Sequence, residues 1–167
     1  IHFEVADPAV RRYAAYWGNP AATPEPPAQW EKKLGSLTLE VRDNTLKRTA
    51  ANWKEMNDLL AASSARLGGG PRREINDTEN PYGPRNENFL SIYKGMIYCP
   101  VDGRYAFGTD SDDSSFLLID GVLVAQWPGG HNPEGKFTHF GRIELKAGLH
   151  RIEYYHVQTT GGTQARA

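Results

Sequence analysis

The side chains best suited to chemistry lie in two loops in the second half of the chain. The first loop, residues 109–115, has the sequence Thr-Asp-Ser-Asp-Asp-Ser-Ser, so the carboxylates of Asp110, Asp112 and Asp113 are crowded together. Like charges at this spacing repel one another unless a cation or hydrogen-bond donors compensate them. Such a cluster suits Ca²⁺, which binds hard oxygen ligands. The alternative is a structural turn whose carboxylates accept backbone N–H groups.

The second loop, residues 127–133, has the sequence Trp-Pro-Gly-Gly-His-Asn-Pro. The face of an aromatic ring stacks well on the apolar face of a sugar, and amide or imidazole groups hydrogen-bond to sugar hydroxyls. Trp127, His131 and Asn132 are therefore candidate sugar-binding residues. The alternative is that Trp127 closes one end of the hydrophobic core.

The sequence lacks the common catalytic motifs. It has no Gly-x-Ser-x-Gly elbow, no His-Glu-x-x-His zinc motif and no phosphate-binding loop. Cys99 is the single cysteine and precedes Pro100 after an apolar run, which indicates packing rather than nucleophilic catalysis. No pair of acidic residues stands out for glycoside hydrolysis. We therefore expect a protein that is not an enzyme.

The charge balance argues against two classes of partner. Among 167 residues, 19 Lys and Arg stand against 20 Asp and Glu, so the formal net charge is −1. A nearly neutral chain has no strong electrostatic attraction to nucleic acid or to an anionic membrane. No apolar run approaches the roughly 20 residues of a membrane-spanning helix.

The elements that must position the two loops are short β-strands. The apolar runs after residue 88 predict strands at 89–93, 96–99, 104–108, 115–119, 122–127, 141–145 and 150–157. Asp120-Gly121 between two of these runs predicts a tight hairpin. Many short strands separated by turns indicate an antiparallel β-sandwich. Strands 104–108 and 115–119 are expected to be neighbours, which would bring the two loops together.

The core of this sandwich can be predicted from the alternation of apolar residues. Phe116 and Leu118 share one strand face by the period of two, as do Tyr105 and Phe107. The predicted core residues are Phe107, Phe116, Leu118, Leu123 and Ile143.

The first half of the chain predicts strands at 1–5, 10–17 and 37–41 and one helix at 53–67. Apolar residues at intervals of three and four support the helix. Asn52 with Glu55 resembles a capping box at its start, and the glycines at 68–70 are expected to end it. Residues 68–88 are expected to form a long coil.

The segment 103–124 carries a known pattern: Gly-x-Tyr-x-Phe, then Ser-Asp-Asp, an apolar strand, Asp-Gly and Val. An apolar strand, Ala-Gly and a tyrosine-rich strand follow at 143–155. This combination resembles the protective-antigen-type domain, a lectin-like module of bacterial toxins, β-glucosidases and yeast adhesins. The resemblance covers residues 88–167 and implies a mainly β, jelly-roll-like antiparallel β-sandwich, here with one accessory helix.

The resemblance also bears on the aspartate loop. In adhesin members of that family, two adjacent aspartates joined by a cis peptide hold a Ca²⁺ ion that in turn holds sugar hydroxyls. Asp112-Asp113 matches this pair, so the resemblance implies a calcium cofactor here. In other members the same pair is a structural turn.

A weaker resemblance concerns residues 13–21, which are similar to a strand end in concanavalin-like modules of exported bacterial surface proteins. It implies that residues 1–42 form an N-terminal β segment that ends a preceding module or pairs with the sandwich. Residues 43–87 would be a helix and a long connecting loop. Residues 88–167 would be the sandwich, which we expect to continue past its C-terminal end.

These expectations combine into one function. The chain is predicted to be a non-catalytic carbohydrate-binding or adhesion module of a larger secreted or cell-surface bacterial protein. Its partners would be a glycan or cell-surface polysaccharide and the other domains of that protein. The alternatives are a purely structural spacer or assembly domain and an accessory domain of a glycosidase.

Overall fold

Two antiparallel β-sheets pack against each other in the computed structural model, which describes residues 37–167. In chain order, the elements are β1 Leu37–Asp43, α1 Trp53–Ala62, β2 Arg66–Arg72, β3 Asn76–Asp77, β4 Phe89–Cys99, β5 Gly103–Asp112, β6 Ser115–Ile119, β7 Val122–Trp127, β8 His139–Leu145, β9 Gly148–Gln158 and β10 Gln164–Arg166. The six-stranded sheet has the order β2-β1-β4-β9-β6-β7, and the four-stranded sheet has the order β3-β10-β5-β8. The predicted antiparallel β-sandwich is therefore confirmed. The strands predicted at 1–5 and 10–17, and the resemblance at 13–21, lie outside the described residues.

The hydrophobic core has two parts because the six-stranded sheet is covered on both faces. One cluster lies between the sheets and includes Tyr93, Leu117 and Tyr154. The other lies between the six-stranded sheet and α1. All five residues of β6 are buried, since alternate side chains enter one cluster or the other.

The predicted core residues are divided between these two clusters. Phe116 and Leu118 share a face, as predicted, and are buried under α1, where the half-buried Leu123 joins them. Phe107 and Ile143 are half-buried against the cluster between the sheets. The sequence alone did not reveal that β6 has two buried faces.

The helix is shorter than predicted. Asn52 caps it as expected, since its side chain accepts a hydrogen bond from the Glu55 N–H, but α1 ends at Ala62 rather than at residue 67. The glycine run lies inside β2, which pairs with β1. A Cβ at Gly70 would lie 2.6 Å from the Tyr82 hydroxyl, and one at Gly68 would overlap the Tyr82 side chain. The glycines therefore admit the Tyr82 ring instead of capping a helix.

Three other predictions about the strands were wrong. Segments 89–93 and 96–99 form the single strand β4, which pairs with β9 along its whole length. Residues 68–88, expected as coil, contain the end of β2 and all of β3, and β10 was not predicted. Segments 104–108 and 115–119 are not paired: β5 pairs with β8 and β10, whereas β6 pairs with β7 and β9.

The strand β1 bears on the domain organisation. It lies between β2 and β4 in the six-stranded sheet, so residues 37–43 pair with the sandwich, one of the two options left open by the sequence. The described strands all belong to the compact unit Lys32–Ala167. The boundaries expected at residues 42 and 87 stay predictions.

Candidate functional site

The aspartate pair occupies the crossing from one sheet to the other. Asp112 is the last residue of β5, β6 begins at Ser115, and the Asp112–Asp113 peptide bond is cis. The crossing is held to β9 because the Asp113 N–H donates to the Val157 carbonyl at 3.1 Å and the Val157 N–H donates to the Ser114 carbonyl at 2.9 Å. The backbone position of both carboxylates is therefore fixed by the sheet.

Two further loops approach the pair through glycines. A Cβ at Gly130 would lie 3.4 Å from Asp113 Oδ1, and a Cβ at Gly162 would lie 2.9 Å from Asp112 Oδ2. Any side chain at these positions would take up space beside the carboxylates. The loops after β7 and β9 thus pass close to the aspartates while leaving room next to them.

The Asp112 carboxylate lacks a protein donor within residues 37–167. The residue is only 5% exposed, and no donor in residues 37–167 is hydrogen-bonded to its side chain. Burial, and then the negative charge of Asp113, raise the pKa of Asp112 to about 6. Such a group is stabilised by a proton or by a cation.

The two carboxylate oxygens of Asp113 have different surroundings. Its Oδ2 accepts hydrogen bonds from the Thr159 N–H at 2.9 Å and from the Thr159 hydroxyl at 2.5 Å. Its Oδ1 has no hydrogen-bond donor within the described part of the chain and faces Gly130. One oxygen therefore fits the structural turn, whereas the other is free to bind a ligand.

His156 contacts the backbone of the aspartate pair and was not predicted as part of the site. Its ring is fully buried, and Nε2 donates to the Asp112 carbonyl at 2.7 Å. Burial lowers the pKa of His156 to about 4, so the ring is neutral near pH 7. Nothing in the sequence indicated this contact, because His156 and Asp112 are 44 residues apart. His156 and Thr159 are positioning residues for the two aspartates.

Asp110 is separate from the aspartate pair. Its fully buried carboxylate forms an ion pair with Arg166 at 2.8 Å and accepts the Glu134 N–H at 2.9 Å. Between residues 37 and 167, no three His, Cys, Asp or Glu side chains are grouped so that they could hold a metal ion. The structure thus brings Asp112 and Asp113 together, whereas Asp110, the third predicted metal ligand, is paired with the guanidinium of Arg166.

The ring of Trp127 is enclosed by two histidines. The His131 ring stacks on the indole at 3.6 Å with an interplanar angle of 6°, and the His139 ring stacks at 4.0 Å with an angle of 16°. Two nearly parallel rings this close cannot share one face without overlapping, so each covers a different face. The stacking surface that the sequence predicted for a sugar is therefore occupied by imidazole.

His131 joins the second loop to the first. Its Nδ1 lies 3.0 Å from the Ser111 carbonyl and its Nε2 lies 3.2 Å from the Trp127 carbonyl. Burial is the main cause that lowers the pKa of this ring, so it is neutral near pH 7 and donates to one carbonyl at a time. Asn132 is exposed. The two predicted loops therefore do meet, although strands 104–108 and 115–119 are unpaired.

Comparison with known sequences identifies one family. The model of the PA14 domain matches residues 73–166. No curated protein sequence matches the chain.

Solved structures give a consistent result for the fold. The PA14 sugar-binding domain of an RTX adhesin is 15% identical with a TM-score of 0.56, over 79% of this chain and 87% of that chain. The PA14 domain of the antifreeze protein MpAFP is 13% identical with a TM-score of 0.56, over 89% of this chain and 84% of that chain. The GH31 alpha-xylosidase of Xanthomonas citri is 16% identical with a TM-score of 0.53, over 80% of this chain but only 14% of that enzyme.

Proposed function

Because the chain belongs to the PA14 domain family, we propose that it is a carbohydrate-binding module in which Asp112 and Asp113 hold a Ca²⁺ ion that contacts the sugar. The observation that carries the proposal is the side chain of Asp112, which is almost buried, beside a second carboxylate and without a hydrogen-bond donor in residues 37–167. A purely structural turn would use these carboxylates to accept hydrogen bonds, and within the described chain only Oδ2 of Asp113 does so.

The residues around the pair fit a hard cation. Asp112 and Oδ1 of Asp113 offer charged oxygens, which are the ligands that Ca²⁺ prefers. Gly130 and Gly162 leave the adjoining space free of side chains. A bound Ca²⁺ ion would neutralise the pair and offer coordination positions to sugar hydroxyls. Asp110 has no part in this set, because Arg166 already neutralises it.

The second loop would act mainly as a support. His131 and His139 enclose Trp127 and so hold the loop of Gly130 against the aspartates. Asn132 is the exposed polar side chain of this loop and is proposed to hydrogen-bond to the sugar. We do not assign a stacking role to Trp127 in sugar binding.

The wider setting is proposed from the likeness to other proteins. A PA14 sugar-binding domain in an RTX adhesin and a PA14 domain in an antifreeze protein support a non-catalytic module of a secreted or cell-surface protein. No helix within residues 37–167 combines the length and apolar character needed to cross a membrane.

A second candidate is an accessory domain of a glycosidase, with catalysis elsewhere in the protein. The likeness to a part of the alpha-xylosidase favours it, because this chain spans 14% of that enzyme. Both candidates use the same sugar site, so they differ in the parent protein rather than in the chemistry of Asp112 and Asp113. A structural spacer, by contrast, would bind neither calcium nor sugar.

The test is a glycan array with the wild type and two variants, in millimolar Ca²⁺ and in EDTA. We expect wild-type binding that EDTA abolishes, and no binding by the double variant Asp112→Asn/Asp113→Asn. The matched control Asp58→Asn removes an exposed carboxylate of α1 and should bind like the wild type. Calorimetric titration with CaCl₂ alone gives a second readout. If calcium binds but no glycan does, the proposed sugar binding is refuted. If neither binds, the structural spacer is the remaining alternative.

A further inference from the structure

The loop between β1 and α1 (residues 44–52, the β1–α1 loop) reaches the aspartate pair from a distant part of the chain. The Ala50 N–H donates to Ser114 Oγ at 3.1 Å, and the Gly129 N–H donates to the Ala50 carbonyl at 2.8 Å. Ala50 and Ser114 are both fully buried. The β1–α1 loop is therefore tied to the crossing that carries the aspartates and also to the loop after β7.

These hydrogen bonds bring Thr49 next to the open oxygen of Asp113. A Cβ at Gly130 would lie 3.4 Å from Asp113 Oδ1 and 3.7 Å from Thr49 Cγ2. The space that Gly130 leaves free is therefore bounded by both residues, and Gly130 itself is exposed to solvent. A molecule that fills this space beside an ion on Asp113 Oδ1 would also contact Thr49.

The side chain of Thr49 has the chemistry of a sugar contact. It is half-buried, and its hydroxyl has no hydrogen-bond partner within residues 37–167. A hydroxyl both donates and accepts hydrogen bonds, so it can pair with a sugar hydroxyl in either direction. The neighbouring Arg48, by contrast, is already paired with Glu55 at 2.9 Å. The hydroxyl of Thr49 is thus unused by the described fold and available to a ligand.

The β1–α1 loop holds Thr49 in a fixed position. At the start of the loop, the fully buried Asn44 donates through Nδ2 to the Arg48 carbonyl at 3.0 Å. At its end, Glu55 accepts the Ala51 N–H at 3.1 Å and the Arg48 guanidinium at 2.9 Å. Because the chain is anchored on both sides of Thr49, little ordering is needed when a ligand binds to it.

We propose that Thr49 is a specificity-determining residue of the sugar site: its hydroxyl hydrogen-bonds to a sugar hydroxyl, and its side chain limits which substituents fit beside Gly130. This inference rests on the proposed function, because the calcium ion on Asp112 and Asp113 is what holds the sugar there. Thr49 takes no part in holding the ion, which separates its role from that of the aspartates. The β1–α1 loop is thereby a third wall of the site, in addition to the loops of Gly130 and Gly162.

The test separates sugar binding from calcium binding with three variants of one residue. Thr49→Val keeps a methyl group and removes the hydroxyl, Thr49→Ser keeps the hydroxyl, and Thr49→Phe fills the space beside Gly130. The probes are CaCl₂ alone and the methyl glycosides of glucose, galactose, mannose and fucose, titrated by calorimetry in millimolar CaCl₂. Thr45→Val and Thr45→Phe are the matched controls, because Thr45 is an exposed threonine of the same loop.

The expected result is a loss of sugar affinity without a loss of calcium affinity. Every variant should bind CaCl₂ alone as tightly as the wild type does. For the glycoside that the wild type binds most tightly, Thr49→Val should weaken binding about three- to tenfold, the effect of one lost hydrogen bond. Thr49→Ser should keep most of the affinity, and Thr49→Phe should weaken binding more than Thr49→Val does. Both Thr45 variants should bind like the wild type.

Two results would overturn the assignment of Thr49 and leave the proposed function intact. They are equal glycoside affinities for the wild type and Thr49→Val, and weaker binding of CaCl₂ alone by Thr49→Val. If the wild type binds no glycan of the array and none of the glycosides, the proposed sugar binding fails and the assignment of Thr49 fails with it. If Thr49→Phe loses its cooperative melting transition, Thr49→Val and Thr49→Ser decide the result.

Discussion

Replacing Asp112 by asparagine should stabilise the calcium-free protein at neutral pH, although it should abolish the proposed function. The reason is that the folded protein leaves Asp112 only 5% exposed, beside the charge of Asp113 and without a donor in the described chain. In the unfolded chain water solvates both groups. Asparagine keeps the shape of the side chain and removes the charge.

The magnitude follows from the pKa of the group. Burial and Asp113 raise the pKa of Asp112 from 3.8 to about 6, a difference equivalent to roughly 3 kcal/mol. Water at the mouth of the site screens part of this, so we expect a gain of about 1–2 kcal/mol for Asp112→Asn. Because the folded-state pKa of this acid is raised, the destabilisation is complete above pH 6 and disappears as the pH falls towards 4.

The assay is urea unfolding in EDTA at pH 7 and at pH 4, for the wild type, Asp112→Asn and the control Asp58→Asn. The variant should be more stable than the wild type at pH 7, and the difference should vanish at pH 4. Comparing each variant with the wild type at the same pH cancels the titration of the groups that do not interact with Asp112. Millimolar Ca²⁺ should stabilise the wild type by mass action and reverse the order at pH 7.

Two results would refute this reasoning. A loss of stability in Asp112→Asn at pH 7 in EDTA would mean that the carboxylate is compensated by contacts of its own. A difference that is the same at pH 4 and pH 7 would mean that the effect of the substitution does not come from the charge. Either result would also remove the observation on which the proposed calcium site rests.

Three further predictions concern the framework. Phe116→Ala, at a fully buried position, should cost about 3–5 kcal/mol in urea unfolding, and Phe107→Ala, at a half-buried position, should cost less; equal effects would contradict the difference in burial between the two rings. Burial lowers the pKa of His156 from 6.5 to about 4, so the unfolded chain binds a proton at a higher pH than the folded protein does. As the pH falls from 6.5 to 4, the free energy of unfolding of the wild type should therefore decrease by up to about 3 kcal/mol relative to that of His156→Gln, whose pH profile should be flatter. Gly68→Ala should destabilise the protein because its Cβ would overlap Tyr82, and the loss should be smaller in a Tyr82→Gly background; additive losses in a double-mutant cycle would refute the contact.

Local patterns in the sequence predicted those features of the fold that depend on neighbouring residues. The alternation of apolar residues located β6 and β7, and Asp120-Gly121 marked the hairpin between them, where both residues have positive φ. The helix start was predictable for the same reason, because Asn52 and Glu55 are three residues apart. Local signals fixed the position of these elements in the chain, but not their partners.

The errors arose where the deciding contact is distant in sequence. A run of glycines can end a helix or form a strand edge, and only the ring of Tyr82 resting on β2 decides between them. Trp127 is a residue type that often stacks on sugars, but His139, twelve residues further along the chain, stacks on its ring and helps to enclose it. Strand neighbours likewise depend on which sheet each strand joins, so β5 and β6 could be located but not assigned to separate sheets.

Asp110 and Asp112 differ in their partners because β10 places different side chains opposite them. Asp110 and Asp112 lie two residues apart on β5 and therefore share a face. Opposite Asp110, β10 supplies the guanidinium of Arg166; opposite Asp112, it supplies Gln164, whose amide nitrogen lies 3.5 Å from Asp110 instead. One carboxylate thus becomes part of the framework, while the other has no hydrogen-bond donor in residues 37–167 and lies beside Gly162. The difference between the two carboxylates is set by a three-residue strand that the sequence did not predict.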